Sequence, residues 1–302
     1  MIGSDISELA ASKKSTLIAA AFGEKTVQVW DLRSQKAICE FATVFLMGAR
    51  NLALAPDAGI LVTGLSGARG AVAAYEVPSG KKLWDRKRLV YPSMLEFDST
   101  GQSIFCTVND CRRLLRLEVG SGTTLEEIKG ISRQIDGTYG ATLTVPSRKS
   151  KKTYRLTAGD HSFDVLPLSF GLLDVTFSPH SVCLTEAGGP VRCMSCDDGK
   201  LQWTFNPGTD SHVLRVYYSP RLNTFFGVLM NFKTKRTPTR LVRFDVTSGV
   251  CEQLCDLDWD AWEVAFLAVS DQLVTTSGEI RNLSDGVLVG RLAFPQREYP
   301  DE

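Results

Sequence analysis

The stretch Thr26–Phe41, TVQVWDLRSQKAICEF, alternates apolar and polar residues as far as Trp30-Asp31. It then turns through Leu32-Arg33-Ser34-Gln35 and resumes as a second apolar run. Two such runs joined by a short polar turn form the pattern of a β-hairpin. Whether this is a single hairpin or one copy of a repeat decides the fold. Laid along the chain, the stretch finds six relatives: Tyr75–Lys81, Leu117–Gly122, Tyr154–Gly159, Met194–Lys200, Phe244–Gly249 and Arg281–Gly286. The turn glycine, replaced by Gln35 in the first copy, recurs about every 42 residues, a spacing typical of four-stranded blades.

Upstream of most copies lies a second hairpin pattern: Arg50–Gly64, Ser93–Val108, Leu172–Glu186 and Leu214–Met230. Each is a short apolar or alternating run, a Ser/Asp/Pro/Gly turn and another apolar run. Two hairpins per repeat predict a four-stranded antiparallel blade, which must stack against neighbours to bury its faces. No interval leaves room for a crossover helix in every repeat. The sequence therefore predicts an all-β chain, residues 1–302, folded as a single seven-bladed β-propeller of four-stranded antiparallel blades. Asp5–Ala11 is available as the inner strand of the first blade and Val287–Phe294 carries the outer strand of the last. The ring is thus expected to close by face packing, without exchange of a strand between the termini.

The residues TVQVWDL resemble the end of a WD-repeat, and LRVYYSPRL and LDVTFSPHS resemble the first strand and turn of that family. The resemblance covers nearly the whole chain, although only the first copy carries the Trp-Asp pair. SGKKLWD (Ser79–Asp85) and DGKLQWTF (Asp198–Phe205) resemble quinoprotein-type blades, in which Gly is followed by Trp at this spacing. These resemblances imply a propeller that presents loops to a protein partner. They also keep open a ligand-binding or enzymatic propeller, quinoprotein-like or lactonase-like, that uses the central channel. The predicted first strands are mostly apolar, which favours the first reading.

Lys+Arg 34 balance Asp+Glu 34, so the chain has no global field to draw nucleic acid or an anionic membrane. No run approaches the roughly 18 apolar residues of a membrane helix, and the N-terminus lacks the pattern of a signal peptide. A cytoplasmic protein with reduced cysteines is the expectation. The three histidines, His161, His180 and His212, fall in separate predicted loops, too scattered for a base-and-nucleophile arrangement. Cys193 and Cys196 form a lone CxxC with no second pair to complete a zinc site. Cys251 and Cys255 are expected on one face of a strand, and Cys106 and Cys111 across a hairpin turn. Gly64–Gly70 reads as an inter-strand loop rather than a phosphate cradle. Asp256, Asp258 and Asp260 lack the Gly and Glu of a calcium loop. No cofactor, metal or catalytic residue is assigned.

Charge is nevertheless unevenly placed. Loops joining strands two and three share a rim with the segments linking successive blades. On that rim the sequence puts Cys111–Arg113, Ser147–Lys152, Asn231–Arg240 and Asp85–Pro92. It thereby gathers Arg86, Lys87, Arg88, Arg112, Arg113, Arg148, Lys149, Lys151, Lys152, Lys233, Lys235 and Arg236. The acidic Asp256–Asp260 segment marks the other side of the same rim. Charge-assisted hydrogen bonds from these groups suit an acidic or phosphorylated protein partner, with the chain as one subunit of a larger complex. A phosphoinositide-binding propeller would use the same rim, but that family's Arg-Arg-Gly motif is missing. Few aromatics fall in these loops, so a stacking platform for single-stranded nucleic acid is not expected.

Overall fold

Two hairpins per repeat do join into one sheet, and seven four-stranded antiparallel sheets follow one another along the chain. In the computed structural model the described residues are 3–4, 6–22, 26–43, 51–65, 70–89, 91–108, 112–137, 139–147, 153–165, 172–231, 238–258 and 263–297. The inner strands of blades one to seven are Ile6–Ala11, Leu52–Leu54, Ser93–Phe97, Ile131–Asp136, Leu172–Phe177, Ser211–Ser219 and Val264–Leu267. The outer strands are Lys36–Ala42, Lys82–Leu89, Thr124–Lys129, His161–Val165, Leu201–Phe205, Cys251–Asp256 and Leu288–Arg291. Blades one and seven each own four strands, so no strand is exchanged between them. A separate clasp pairs Gly3 with Arg297 and Ser4 with Gln296.

Trp30-Asp31 holds its blade together. Asp31 accepts from Thr16 Oγ1 (2.6 Å) and from the N–H groups of Arg33 (3.1 Å) and Ser34 (3.3 Å), tying two turns of the blade to each other. The Trp30 indole donates to Gln28 Oε1 (3.1 Å), and its ring meets Phe294 edge-on at 5.3 Å, on the junction with blade seven.

Cores lie between blades rather than within them. Ile18, Trp30, Leu267 and Ile280 pack blade seven on blade one; Val29, Leu52 and Leu61 pack one on two; Val72, Ile104 and Leu117 pack two on three. Corresponding clusters join four to five, five to six and six to seven. Polar contacts cross the seam between three and four: Thr107 Oγ1 donates to the Ser132 carbonyl, and Arg133 pairs with Glu96.

The repeated turn glycine has two jobs. At Gly122 (φ +69°) and Gly249 (φ +68°) the backbone is left-handed, which suits a residue without Cβ. A Cβ there would also lie 2.6 Å from the Trp84 ring and 2.5 Å from the Trp203 ring, respectively. Each tryptophan, on the outer strand of one blade, therefore lies over the turn of the next and donates across the junction, Trp84 to the Val119 carbonyl (2.6 Å) and Trp203 to that of Val246 (2.8 Å). This is the physical content of the Gly-then-Trp pattern. Phe41 over Gly80 and Phe163 over Gly199 repeat it with smaller rings.

Several positions differ from the sequence reading. The segment Asp85–Pro92 is not simply a linker, because the outer strand of blade two runs on to Leu89 and takes in Arg86, Lys87 and Arg88. His161 opens the outer strand of blade four and His212 lies on the inner strand of blade six, so neither is a loop residue. Cys251 and Cys255 do not share a face. Leu241 pairs with Cys255 but Val242 with Gln253, and this bulge resets the alternation. Cys251 accordingly packs toward blade five and Cys255 toward blade seven. Cys106 faces Leu115 across its ladder; Cys111 lies outside the described residues.

Candidate functional site

The strand order places the loops between second and third strands on the same rim as the blade-to-blade links. Of the twelve basic residues assigned to that rim, five are described. Arg86 is turned inward to the next blade, donating to the Gly122 carbonyl (3.2 Å) and to Thr124 Oγ1. Arg113 pairs with Glu127 on its own sheet at 2.8 Å. Lys87, Arg88 and Arg112 are exposed, and none forms an ion pair among the described residues. Arg148, Lys149, Lys151, Lys152, Lys233, Lys235 and Arg236 lie outside the described residues, in the sequence between the second and third strands of blades four and six. On the acidic side, Asp256 meets Arg240 at 3.6 Å and Asp258 meets Arg291 at 3.5 Å. Trp259 and Asp260 also lie outside the described residues.

Four of the seven described thiols, including Cys106, are interior groups. Cys183, Cys193 and Cys196 are buried, and burial pushes Cys193 up to about 12 and Cys196 up to about 11. Cys183 and Cys193 face each other across the ladder of blade five, and both pack toward blade six. Among the described residues no three His, Cys, Asp or Glu side chains are grouped to hold a metal ion.

The inner strands, expected to be mostly apolar, converge on a charged ring. Blade one supplies Glu8, three Glu96, four Arg133, five Asp174 and six Arg215, while Glu263 immediately precedes the inner strand of blade seven. Glu8 accepts from the backbone N–H groups of Asn51 (3.0 Å) and Leu52 (3.2 Å) in blade two. Arg133 donates through Nε to Glu96 Oε1 at 2.8 Å. Arg215 pairs with Glu263 and lies 3.9 Å from Asp174, which in turn accepts from Val216 N–H at 3.0 Å. The ring thus ties blades one to two, three to four, five to six and six to seven.

Burial sets its protonation. Glu8 is only 7% exposed, and desolvation, reinforced by the nearby Glu263 charge, raises its pKa to about 8 despite two backbone donors and Arg215. The neutral acid therefore predominates at pH 7. One cue was present in the sequence: Arg133, Asp174 and Arg215 recur 41 residues apart, at one register of three successive inner strands. Apolar residues beside them masked that recurrence.

Several solved structures share this architecture. One, described as the structure of U3-55K, superposes with a TM-score of 0.66 at 14% identity, covering 90% of this chain and 88% of the other. A chain of a mitotic checkpoint complex gives 0.67 at 12% identity over 97% and 92%, and the RRP9 WD40 repeats give 0.64 at 13% over 91% and 92%. The chain has the WD40-type propeller fold. No protein-family model matches the sequence of this WD40-type propeller, and no curated protein does. At 12–14% identity the likeness is one of fold.

Proposed function

We propose that this WD40-type propeller is a non-enzymatic interaction module whose basic rim binds an acidic or phosphorylated protein segment within a larger complex. The observation that carries the reading is the state of Lys87, Arg88 and Arg112. They are exposed on one rim of neighbouring blades and lack an ion-pair partner among the described residues. On a chain of formal net charge zero, such a local excess recruits an anionic partner by position rather than by overall field. Arg148, Lys149, Lys151, Lys152, Lys233, Lys235 and Arg236, outside the described residues, fall by sequence between the second and third strands of blades four and six. Arg86 and Arg113, committed to internal partners, support it rather than form it. The likeness in fold to a chain of the mitotic checkpoint complex agrees with a role as one subunit among several. The three histidines, on blades four, five and six, offer no shared acid–base centre.

The test is charge reversal at Lys87, Arg88, Arg112, Lys149, Lys151, Lys152, Lys233, Lys235 and Arg236. Binding is read on arrays of acidic and phosphorylated peptides over a salt series. The wild type is expected to bind with affinity falling as salt rises, and the reversed protein to lose that binding. Equal binding by both proteins, or none by the wild type, would refute the proposal.

A further inference from the structure

The ring closes where blade seven meets blade one, and no strand is exchanged there. The clasp of Gly3 with Arg297 precedes the inner strand of blade one and so lies toward the basic rim. At the far end of that strand, on the opposite face, three turns converge on an open cavity of about 520 Å³. Blade one lines it with Lys14, Ser15 and Thr16 from its first turn and Arg33 from its third. Blade seven lines it with Ser270 and Gln272, at its own first turn. Among the described residues Lys14 and Arg33 are the ionisable groups of this lining. Both are exposed, and neither forms an ion pair among the described residues.

The acids nearby are already engaged by other groups. Asp31 accepts from Thr16 Oγ1 (2.6 Å) and from the backbone N–H groups of Arg33 (3.1 Å) and Ser34 (3.3 Å). Asp271 pairs with Arg221 at 2.6 Å and accepts from Ser219. Asp57, next to the Pro56 carbonyl that accepts from Lys14 N–H, accepts from Gly59 N–H at 3.0 Å. Lys13, exposed on the same turn as Lys14 but lining the central channel, adds to the positive charge of this face. A carboxylate, with one charge, would match one of the two lining cations and leave the other. A phosphoryl group brings a charge near −2 and three strong acceptor oxygens, enough for both. The cavity has the volume of a small-molecule pocket, so there is room for the group that carries the phosphoryl. We propose that this seam cavity binds a small phosphate monoester. Lys14 and the Arg33 guanidinium donate to its oxygens. The Ser15 hydroxyl, whose oxygen accepts from Leu17 N–H at 3.3 Å, and the Gln272 amide donate beside them. Ring closure alone brings these turns together, so the ligand joins blade one to blade seven on the face opposite the clasp. This site is independent of the basic rim.

Calorimetric titration of the full chain at low ionic strength tests it, with glycerol 3-phosphate and O-phosphoserine as ligands and inorganic phosphate and acetate as comparisons. At least one ester is expected to bind, inorganic phosphate more weakly, and acetate not at all. Lys14→Gln and Arg33→Gln are each expected to weaken ester binding at least about tenfold, the loss of one charged hydrogen bond. Ser15→Asp still accepts from Leu17 N–H but sets a carboxylate in the cavity, and is expected to abolish binding; its melting temperature checks the fold. A protein charge-reversed at Lys87, Arg88 and Arg112 is expected to bind the ester as the wild type does, which separates this site from the rim. No binding by either ester, binding by acetate, or inorganic phosphate binding as tightly as the better ester would each overturn the proposal. So would unchanged affinity in both glutamine variants, or loss of binding on reversal of the rim.

Discussion

Replacing Glu8 by glutamine is expected to change how the stability of the propeller depends on pH. In the unfolded chain this carboxyl titrates near 4.5, and in the folded ring near 8. Between those values the folded state holds a proton that the unfolded state has released, so stability falls as pH rises. At 1.36 kcal/mol per pH unit the full displacement is worth about 5 kcal/mol, all of it present below pH 4.5 and lost by about pH 8. Glu263 and Arg215 are the charged groups acting on Glu8 through space; the first reinforces the shift and the second opposes it. Glutamine cannot titrate. It also turns an amide N–H₂ toward one of the two backbone donors, Asn51 or Leu52, at a cost of about 1–3 kcal/mol at every pH. The assay is urea unfolding of both proteins from pH 5 to 9. The wild-type advantage is expected to be positive at pH 5, to shrink steadily, and to reverse by pH 8–9. A difference between the two proteins that stays constant across the range would show that Glu8 is ionised in the folded ring, and the desolvation argument would fail.

Gly249→Ala should cost about 3 kcal/mol or more, because φ +68° is disfavoured for alanine and the new Cβ displaces the Trp203 ring. Gly188→Ala, at φ +66° with open space around it, should cost only about 1–2 kcal/mol; equal losses in thermal melts would refute docking of the tryptophan on the turn. Iodoacetamide at pH 8 should modify Cys193 in the folded protein about a thousandfold more slowly than a free thiol, since burial suppresses its thiolate. Site-resolved mass spectrometry showing ordinary rates would contradict that. Arg86→Ala should lower stability by about 1–2 kcal/mol through lost bonds to Gly122 and Thr124 while leaving acidic-peptide affinity unchanged. Loss of affinity with no loss of stability would return Arg86 to the partner surface.

The sequence by itself determined the blade. A period-two pattern and a Ser/Asp-Gly turn are local properties, and their recurrence about every 42 residues specified seven four-stranded units and their shared rims. It determined as well that Trp84 and Trp203 are blade elements, because a Gly-then-Trp spacing is written in consecutive residues. What only the tertiary structure decided depends on which atoms meet across blades. A single bulge put Cys251 and Cys255 on opposite faces, and no local pattern announces a bulge. Arg86 and Lys87 are neighbours of the same charge. The first spends its donors on blade three and the second is exposed, because successive side chains point to opposite faces of the outer strand and only one of those faces meets blade three. The charged ring is the clearest case. Glu8, Glu96, Arg133, Asp174, Arg215 and Glu263 are spread over more than 250 residues and look like isolated charges in apolar strands. Ring closure brings them together around one axis, where their pairing and Glu8's proton are fixed by distance and burial rather than by sequence.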